Sequence, residues 1–332
     1  MPPRHNINVW RCGSFHCSAD DNILAAGQRA GFGLPNACRN GNCERCMGEL
    51  LVGSVQHSKT GQITRAGEQN AARVLYCVAH ALEDCEIKVP NTTAPGQFPI
   101  VTKACQVVEV KRLSAYISQV LLQLPAGKKI EWYPGQYLML LIDGQEYAFS
   151  IANAPVERQV ELHIRHGVEN VSAQKIMGYL HENSTVRVKL PMGTRHLGAL
   201  NDQQRPLWLI CGSTGFAQAK AMVEGAIEQK REIHLFWGAR QAEELYLHEL
   251  AQEWASKGVL TYTAVLSDEY VEGFAEGLVH EAVLATPVPA EQPQCLIAGS
   301  PAMAWAVFDA LTAAGGDPQL LHSDVFDYAP RG

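Results

Sequence analysis

The 332-residue sequence predicts three domains in series: a small α+β domain carrying a cysteine-rich loop, an antiparallel β-barrel, and a doubly wound parallel α/β domain. Three observations lead there. Cysteines crowd into "CRNGNCERC" at residues 38–46, residues 100 to about 193 run as short strands with short turns, and after Pro206 strands and helices alternate. "NTTAPGQFP" at 91–99 is a polar, proline-containing connector, so the boundaries fall at 1–95, 100–200 and 205–332.

Composition narrows the class. Hydrophobic residues make up 47% and charged residues 18%, the balance of an ordinary globular protein. Residues 201–332 carry 7 basic against 18 acidic side chains, and no stretch shows the basic footprint that nucleic acid requires. The longest apolar runs, such as "YLMLLI" at 137–142, are too short to cross a bilayer, and "MPPRHNINVW" lacks the apolar core of a secretory signal. The expected location is the cytoplasm, where clustered cysteines hold metal or do redox chemistry more often than they form disulfides.

In the first domain, "INVWRCGSFHCS" at 7–18 reads as two short strands joined at Cys12-Gly13. "ADDNILAAGQRAGFG" reads as a helix with Asp20 and Asp21 near its start and Gly31 and Gly33 at its end. The loop supplies Cys38, Cys43 and Cys46, and Cys77 stands in "VLYCVAH". Together they give C-x4-C-x2-C…C, the spacing of plant-type 2Fe-2S centres. Two irons need four thiolates, and one loop can wrap three of them while a separate segment closes the cage. Gly41 lets the backbone approach the sulfides and donate N–H bonds. A structural zinc site is the alternative, although zinc knuckles usually use two C-x2-C pairs and only one such pair occurs here. Unconnected buried cysteines are another. Cys12, Cys17, Cys85, Cys105, Cys211 and Cys295 read as small core residues or bystanders. "LPNACRNGNCERCMGELLVGSV" and "YCVAHA" resemble plant-type ferredoxin domains over residues 5 to 90, which implies a β-grasp fold.

The second domain reads as the strands "ACQVVEVKRL", "ISQVLLQLP", "QYLMLLID", "QVELHIRH" and "STVRVKLP", interrupted by the helical "NVSAQKIMGYL". "YPGQYLMLLI" at 133–142 and "YAFSIANAP" at 147–155 resemble the ferredoxin-NADP reductase superfamily, whose flavin-binding barrel carries an Arg-x-aromatic-Ser signature. The resemblance implies FAD, or FMN, with Phe149 against the isoalloxazine and Ser150 near its N5, the two candidate catalytic residues. The arginine position holds Tyr147, which cannot supply the charge that pairs with flavin phosphate in the family. "LHIRHGVENVSAQKIM" also lacks the Gly-Gly pair that precedes the phosphate-contacting serine, here Ser172, in tight FAD binders. In this it looks like the bacterial NAD(P)H:flavin oxidoreductase branch, where flavin is loosely held. Arg165, Ser172, Lys175 and Arg195 are the candidates to replace the missing contact. His163 and His166 flank Arg165 and read as structural or solvent-facing.

The third domain alternates "LWLIC", a helix from Phe216, "EIHLFWGA", a helix over "AEELYLHELAQEWASKG", "LTYTAVL", "GLVHEAVLA", "QCLIAG" and "PAMAWAVFDALTAAGG". "LICGSTGFAQAKAM" at 209–222 is a strand, a glycine turn and a helix whose N-terminus offers free N–H groups to a pyrophosphate. The turn is similar to the superfamily's Gly-x-Thr-Gly and assigns Gly212, Thr214 and Gly215 to the nucleotide. "WGARQAEELY" resembles the block that puts Arg240 near the adenosine end. "IAGSPAMA" resembles the nicotinamide-facing block, with Ala298-Gly299 where many relatives have Cys-Gly. "HSDVFDYAPR" resembles the tail of ferredoxin-fused reductases, where Phe326 or Tyr328 either covers the flavin ring or packs on the sheet. Few basic groups are available for a 2′-phosphate, which favours NADH over NADPH.

The order ferredoxin, flavin barrel, nicotinamide domain implies an electron-transfer reductase. Electrons would run from NAD(P)H through flavin to a 2Fe-2S cluster and on to a redox protein partner such as an oxygenase or dehydratase component. Two other readings stay open: a reductase of free flavin with the ferredoxin domain as an accessory, and a non-catalytic iron–sulfur module.

Overall fold

The computed structural model describes residues 3–67, 73–127, 129–167, 169–200, 202 and 204–331. The chain forms two compact units, Met1–Ile100 and Val101–Gly332. Among the described residues no helix is long and apolar enough to cross a membrane.

The first unit is built by period-two alternation. Strands β1 (Arg4–Val9) and β2 (Gly13–Ser18) turn Ile7, Val9, Phe15 and Cys17 inward and pair antiparallel across the Cys12-Gly13 turn. Helix α1 (Ile23–Arg29) is capped by Asn22, whose side chain accepts from the Ala25 N–H at 2.8 Å. Strands β3 (Met47–Val52), β4 (Ser54–His57), β5 (Ile63–Arg65), β6 (Arg73–Leu75), β7 (Ala79–Ala81) and β8 (Cys85–Lys88) complete two sheets. The larger has the order β2-β1-β8-β3-β6, with β1 and β8 parallel, and the smaller is β5-β4-β7. A mixed five-stranded sheet crossed by one helix is the β-grasp arrangement.

The second unit begins with a curled antiparallel sheet of β9 (Val101–Arg112), β10 (Ile117–Gln123), β11 (Tyr137–Ile142), β12 (Gln145–Ser150), β13 (Gln159–Arg165) and β14 (Thr185–Met192). The order is β12-β11-β14-β9-β10-β13. The two edges meet just beyond β12, where the Ala152 N–H donates to the Glu161 carbonyl at 2.8 Å, so the sheet is a half-closed barrel. Helix α2 (Val171–Glu182) plugs one end with Ile176, Met177 and Leu180.

A six-stranded parallel sheet follows: β15 (Leu207–Gly212), β16 (Ile233–Ala239), β17 (Thr261–Leu266), β18 (Ala275–Glu276), β19 (Gln294–Ala298) and β20 (Leu321–His322). Leu207, Leu209 and Cys211 face α3 (Phe216–Ala226) and α4 (His248–Ser256). Trp208 and Ile210 face α5 (Val279–Ala285), α6 (Pro301–Ala313) and α7 (Val325–Tyr328). Both faces are covered, which explains the continuous apolar runs. The order β18-β17-β16-β15-β19-β20 reverses direction between β15 and β19, a switch point at which ligands bind beyond the strand ends.

One sequence expectation needs correction. The helix expected over "AEELYLHELAQEWASKG" is broken: a 3-10 turn spans Ala242–Glu244, and α4 starts only at His248. Leu245 is drawn into the core, and the Tyr246 hydroxyl bonds His163 Nδ1 at 2.8 Å, so tertiary contacts override the helical pattern.

Candidate functional site

The cysteine loop is shaped by three residues in the left-handed region, Arg39 (φ 57°), Gly41 (φ 88°) and Glu44 (φ 57°), which curl its backbone inward. The Cys38 N–H points at Cys43 Sγ and the Cys43 N–H at Cys38 Sγ, each at 3.3 Å. The backbone N–H of Asn40, then the Cys43 side chain, hold the Cys38 thiol down to about 6. Cys46 and Cys77 are buried, whereas Cys38 and Cys43 are exposed. Tyr76, almost fully buried, fixes the approach of Cys77: its N–H donates to Cys46 O at 3.3 Å and its hydroxyl to Glu49 O at 2.7 Å. Burial first, then a hydrogen bond with Cys46, raise the Cys77 thiol to about 11. The four thiols of the sequence pattern therefore converge in space. Four soft sulfur ligands, with amides aimed at two of the sulfurs, suit a two-iron cluster. Cys17, Cys85, Cys105, Cys211 and Cys295 are buried core residues.

On β12, Tyr147 and Phe149 are half-buried against the barrel core, which leaves part of each ring open, and the half-buried Ser150 pairs with Tyr137. The chain's tail lies beside that pair, because Asp324 and Asp327 act electrostatically on Tyr137. A Cβ on Gly193 would meet the Tyr137 ring at 2.9 Å, so only glycine allows this approach. Two of the buried polar atoms without a hydrogen-bond partner among the described residues, Arg195 Nε and His322 Nε2, belong to the same surroundings. Such atoms suit a bound polar ring. Phe326 lies in an aromatic group with Trp305 (centroids 4.5 Å) and Phe308 (5.3 Å), so this part of the tail packs on α6; Tyr328 is exposed.

The candidates for the missing arginine separate. Arg165 donates to Ser213 Oγ at 3.1 Å and sits 3.7 Å from Glu244, at the nucleotide turn. Arg195 reaches Asp327 at 3.4 Å. Lys175, in the second turn of α2, pairs with Asp143 at 2.9 Å on the hairpin that carries Tyr147, and Tyr147 is close enough to act on its charge. Ser172 lies in the first turn of that helix, after the Asn170 cap.

Asp324 is nearly buried, accepts from Gln218 Nε2 at 3.0 Å, and is pushed up to about 6 mainly by burial. Its unfolded value is near 3.8, so the native state binds more protons between about pH 4 and 6 and loses stability as pH rises through that window. Asp324→Asn keeps the acceptor and removes the buried charge. The variant is expected to be more stable than the unsubstituted protein at pH 8, by up to about 2 kcal/mol. The gain should shrink at pH 5, and unfolding curves at the two pH values test the difference.

At the switch point, Gly212 ends β15 and Gly215 opens α3, with Ser213 between them in the left-handed region (φ 50°). Trp237 braces the turn by donating from Nε1 to Ser213 O at 3.1 Å, and it stacks on Phe216 at 3.8 Å. A Cβ on Gly215 would fall on the Ala298 carbonyl, 2.6 Å from its carbon. Cβ atoms on Gly212 and Gly299 would each strike Met303 Sδ, at 2.5 and 2.6 Å. Sequence reasoning missed Met303, which roofs both glycines. Thr214 lies within the turn. Arg240, at the end of β16, donates to Glu244 at 3.0 Å, and Glu243, Asp268 and Glu269 follow nearby in the chain or its contacts.

Comparison with known proteins agrees with this layout. The 2Fe-2S iron-sulfur cluster binding domain family matches residues 12–82, and the oxidoreductase NAD-binding domain family matches residues 209–309. The chain is 30% identical over 326 residues to the terephthalate 1,2-dioxygenase reductase component 1 of Comamonas sp, covering 96% of each chain. It is 30% identical over 275 residues to the CDP-6-deoxy-L-threo-D-glycero-4-hexulose-3-dehydrase reductase of Yersinia pestis, covering 81% of this chain and 82% of that one. Among solved structures, the Amycolatopsis cytochrome P450 reductase is similar with a TM-score of 0.64 at 26% identity, over 96% of this chain and 98% of that one. With its thiolate ring, its glycine turn at the switch point and these full-length relatives, the chain belongs to the ferredoxin reductases that join a 2Fe-2S ferredoxin domain to flavin- and NAD-binding domains.

Proposed function

We propose that the chain oxidises NADH and delivers the electrons singly to a protein partner, an oxygenase or dehydratase component as in its named relatives. Residues 1–95 would carry the cluster, 100–200 the flavin and 205–332 the nicotinamide. When bound, the flavin takes a hydride, two electrons with one proton, from NADH and passes the electrons one at a time to the 2Fe-2S cluster. Cys38, Cys43, Cys46 and Cys77 hold the iron. Phe149 supports the flavin ring and Ser150 offers its hydroxyl to the reacting nitrogen. Ser172 and Lys175, at the start of α2, take the phosphate that Tyr147 cannot. Gly212, Thr214 and Gly215 cradle the nicotinamide dinucleotide's pyrophosphate with Arg165 alongside, and Gly299 leaves room for the nicotinamide. A reduced-thiol cluster fits a cytoplasmic setting.

One observation carries the reading: the helix that follows the glycine turn packs on the segment that follows Ser150, through the Lys220 Nζ bond to Ala152 O at 3.1 Å. This contact supports a reading in which the two rings would meet at one seam. Anaerobic titration of desalted protein with NADH tests the proposal. Bleaching of retained flavin followed by cluster reduction supports it. Bleaching only of added free flavin favours a flavin reductase, and no bleaching favours a non-catalytic iron–sulfur module.

The acidic neighbours of Arg240 disfavour a 2′-phosphate. NADPH is expected to give kcat/KM at least tenfold below NADH in steady-state assays.

A further inference from the structure

Across the seam between the curled sheet and the parallel sheet, the Lys220 bond to Ala152 is one link of a longer buried polar chain. Lys220, on α3, is nearly inaccessible. Its ammonium has three donors and three acceptors: Ala152 O at 3.1 Å, Glu161 Oε2 at 3.0 Å and Glu224 Oε1 at 2.7 Å. Glu161 Oε1 accepts from Gln119 Nε2 at 2.8 Å and from His163 Nε2 at 2.7 Å. His163 Nδ1 then meets the Tyr246 hydroxyl at 2.8 Å. Glu224 Oε2 accepts the Ala154 N–H at 3.0 Å.

The protonation states follow from the pairing. Burial lowers the His163 imidazole more than Glu161 raises it, so the ring is neutral, donates from Nε2 and accepts the Tyr246 hydroxyl at Nδ1. Burial alone would raise the Glu161 carboxyl, but His163 and Lys220 outweigh it and hold it near 2. Lys220, Glu161, His163 and Tyr246 are thus satisfied in a single arrangement.

A buried ion pair is poor value as a source of stability, since well-packed apolar residues do as well or better; what it can give is a fixed geometry. The tripod here is well placed for that. Ala152 and Ala154 lie two and four residues after Ser150, and Lys220 lies five after Gly215. Gln218, one turn from the glycine turn, adds a second grip by donating to Gly135 O at 2.7 Å on the barrel.

We propose that Lys220, with Glu161 and Glu224, is a positioning residue that sets the register between the flavin-bearing strand and the nicotinamide-bearing turn. Lys220 would act through the backbone at 152, and Glu224 through the backbone at 154. The inference rests on the functional reading above. Without the tripod the two rings would sample many offsets, and the reactive approach would be populated less often.

Full-length, flavin-loaded protein tests this in anaerobic stopped-flow experiments. Lys220→Met is expected to lower the limiting rate of flavin reduction by NADH at least tenfold. The NADH concentration at half-saturation and the flavin dissociation constant should each change less than threefold, and flavin-to-cluster transfer after photoreduction should be unchanged. A merely structural role would move affinity and melting temperature while leaving the rate per loaded flavin intact, and that result overturns the proposal. Should Lys220→Met fail to fold, Glu224→Gln serves, since Lys220 and the Ala154 N–H use different carboxylate oxygens and the amide nitrogen would face one of them donor to donor. A rate lowered about threefold or more supports the proposal, and an unchanged rate overturns it. If unsubstituted protein fails to bleach its flavin with NADH, the functional reading falls and the proposal with it. A normal unsubstituted protein with unchanged variants removes the proposal alone.

Discussion

Cys77→Ser is expected to cut NADH-driven reduction of a one-electron protein acceptor at least a hundredfold, while reduction of the flavin by NADH stays within about twofold. Serine keeps the size of the side chain but replaces a soft thiolate by a hard, weakly acidic hydroxyl, and iron in a sulfide-bridged cluster prefers sulfur. Cys77 comes from the turn after β6, outside the loop that supplies the other three ligands, so no neighbour can substitute. A hundredfold loss corresponds to about 2.7 kcal/mol of activation free energy. Cys85→Ser is the control: that thiol is buried and hydrogen-bonds Ser54 O at 3.5 Å, remote in role from the loop. Visible absorbance and low-temperature electron paramagnetic resonance read the cluster directly. A Cys77→Ser protein with an unaltered iron–sulfur signal would remove the assignment of the fourth ligand.

Gly215→Ala is expected to have an effect of similar size at the other end of the electron path. The backbone there is ordinary right-handed helix (φ −56°, ψ −21°), so alanine is conformationally acceptable. The obstacle is contact, because the new Cβ would press on the Ala298 carbonyl at the end of β19. Strands β15 and β19 are neighbours in the sheet, so the carbonyl can withdraw only by opening the switch-point crevice. Overpacking of this kind costs about 1–3 kcal/mol and moves the helix N-terminus away from the pyrophosphate. NADH-dependent flavin reduction should fall at least a hundredfold at sub-saturating NADH, with the cluster spectrum unchanged. Near-normal kcat/KM would show that the turn does not hold the nucleotide.

Much of this architecture was legible along the chain. Three of the proposed cluster ligands lie within nine residues, so their geometry is local, and the sequence already constrains it. The run "LWLIC" sends alternate side chains to two different helix layers, and its unbroken apolarity marks a strand covered on both sides. The polar seam was harder to read. Glu161 and Lys220 are 59 residues apart, and in the sequence each looks like an ordinary surface charge. A hint was present in "FAQAKAM", where Gln218 and Lys220 interrupt a helix whose neighbours are all small or apolar. A cation in such a setting has to find acceptors from another element. Met303 was invisible for a different reason: its function as a roof depends on glycines 91 and 4 residues away. Tyr147 drew attention to a missing charge, but only folding brings Lys175 to the same hairpin.

The unequal exposure of the ten thiols makes the chain a gauge of its own iron content. Among the described residues, the fully exposed cysteines are Cys38 and Cys43, both proposed ligands, while burial pushes Cys105 and Cys295 up to about 12 and Cys17 and Cys85 to about 11. An alkylating reagent applied briefly at neutral pH therefore tags vacant centres first, and the mass added per chain counts the molecules that have lost their inorganic core.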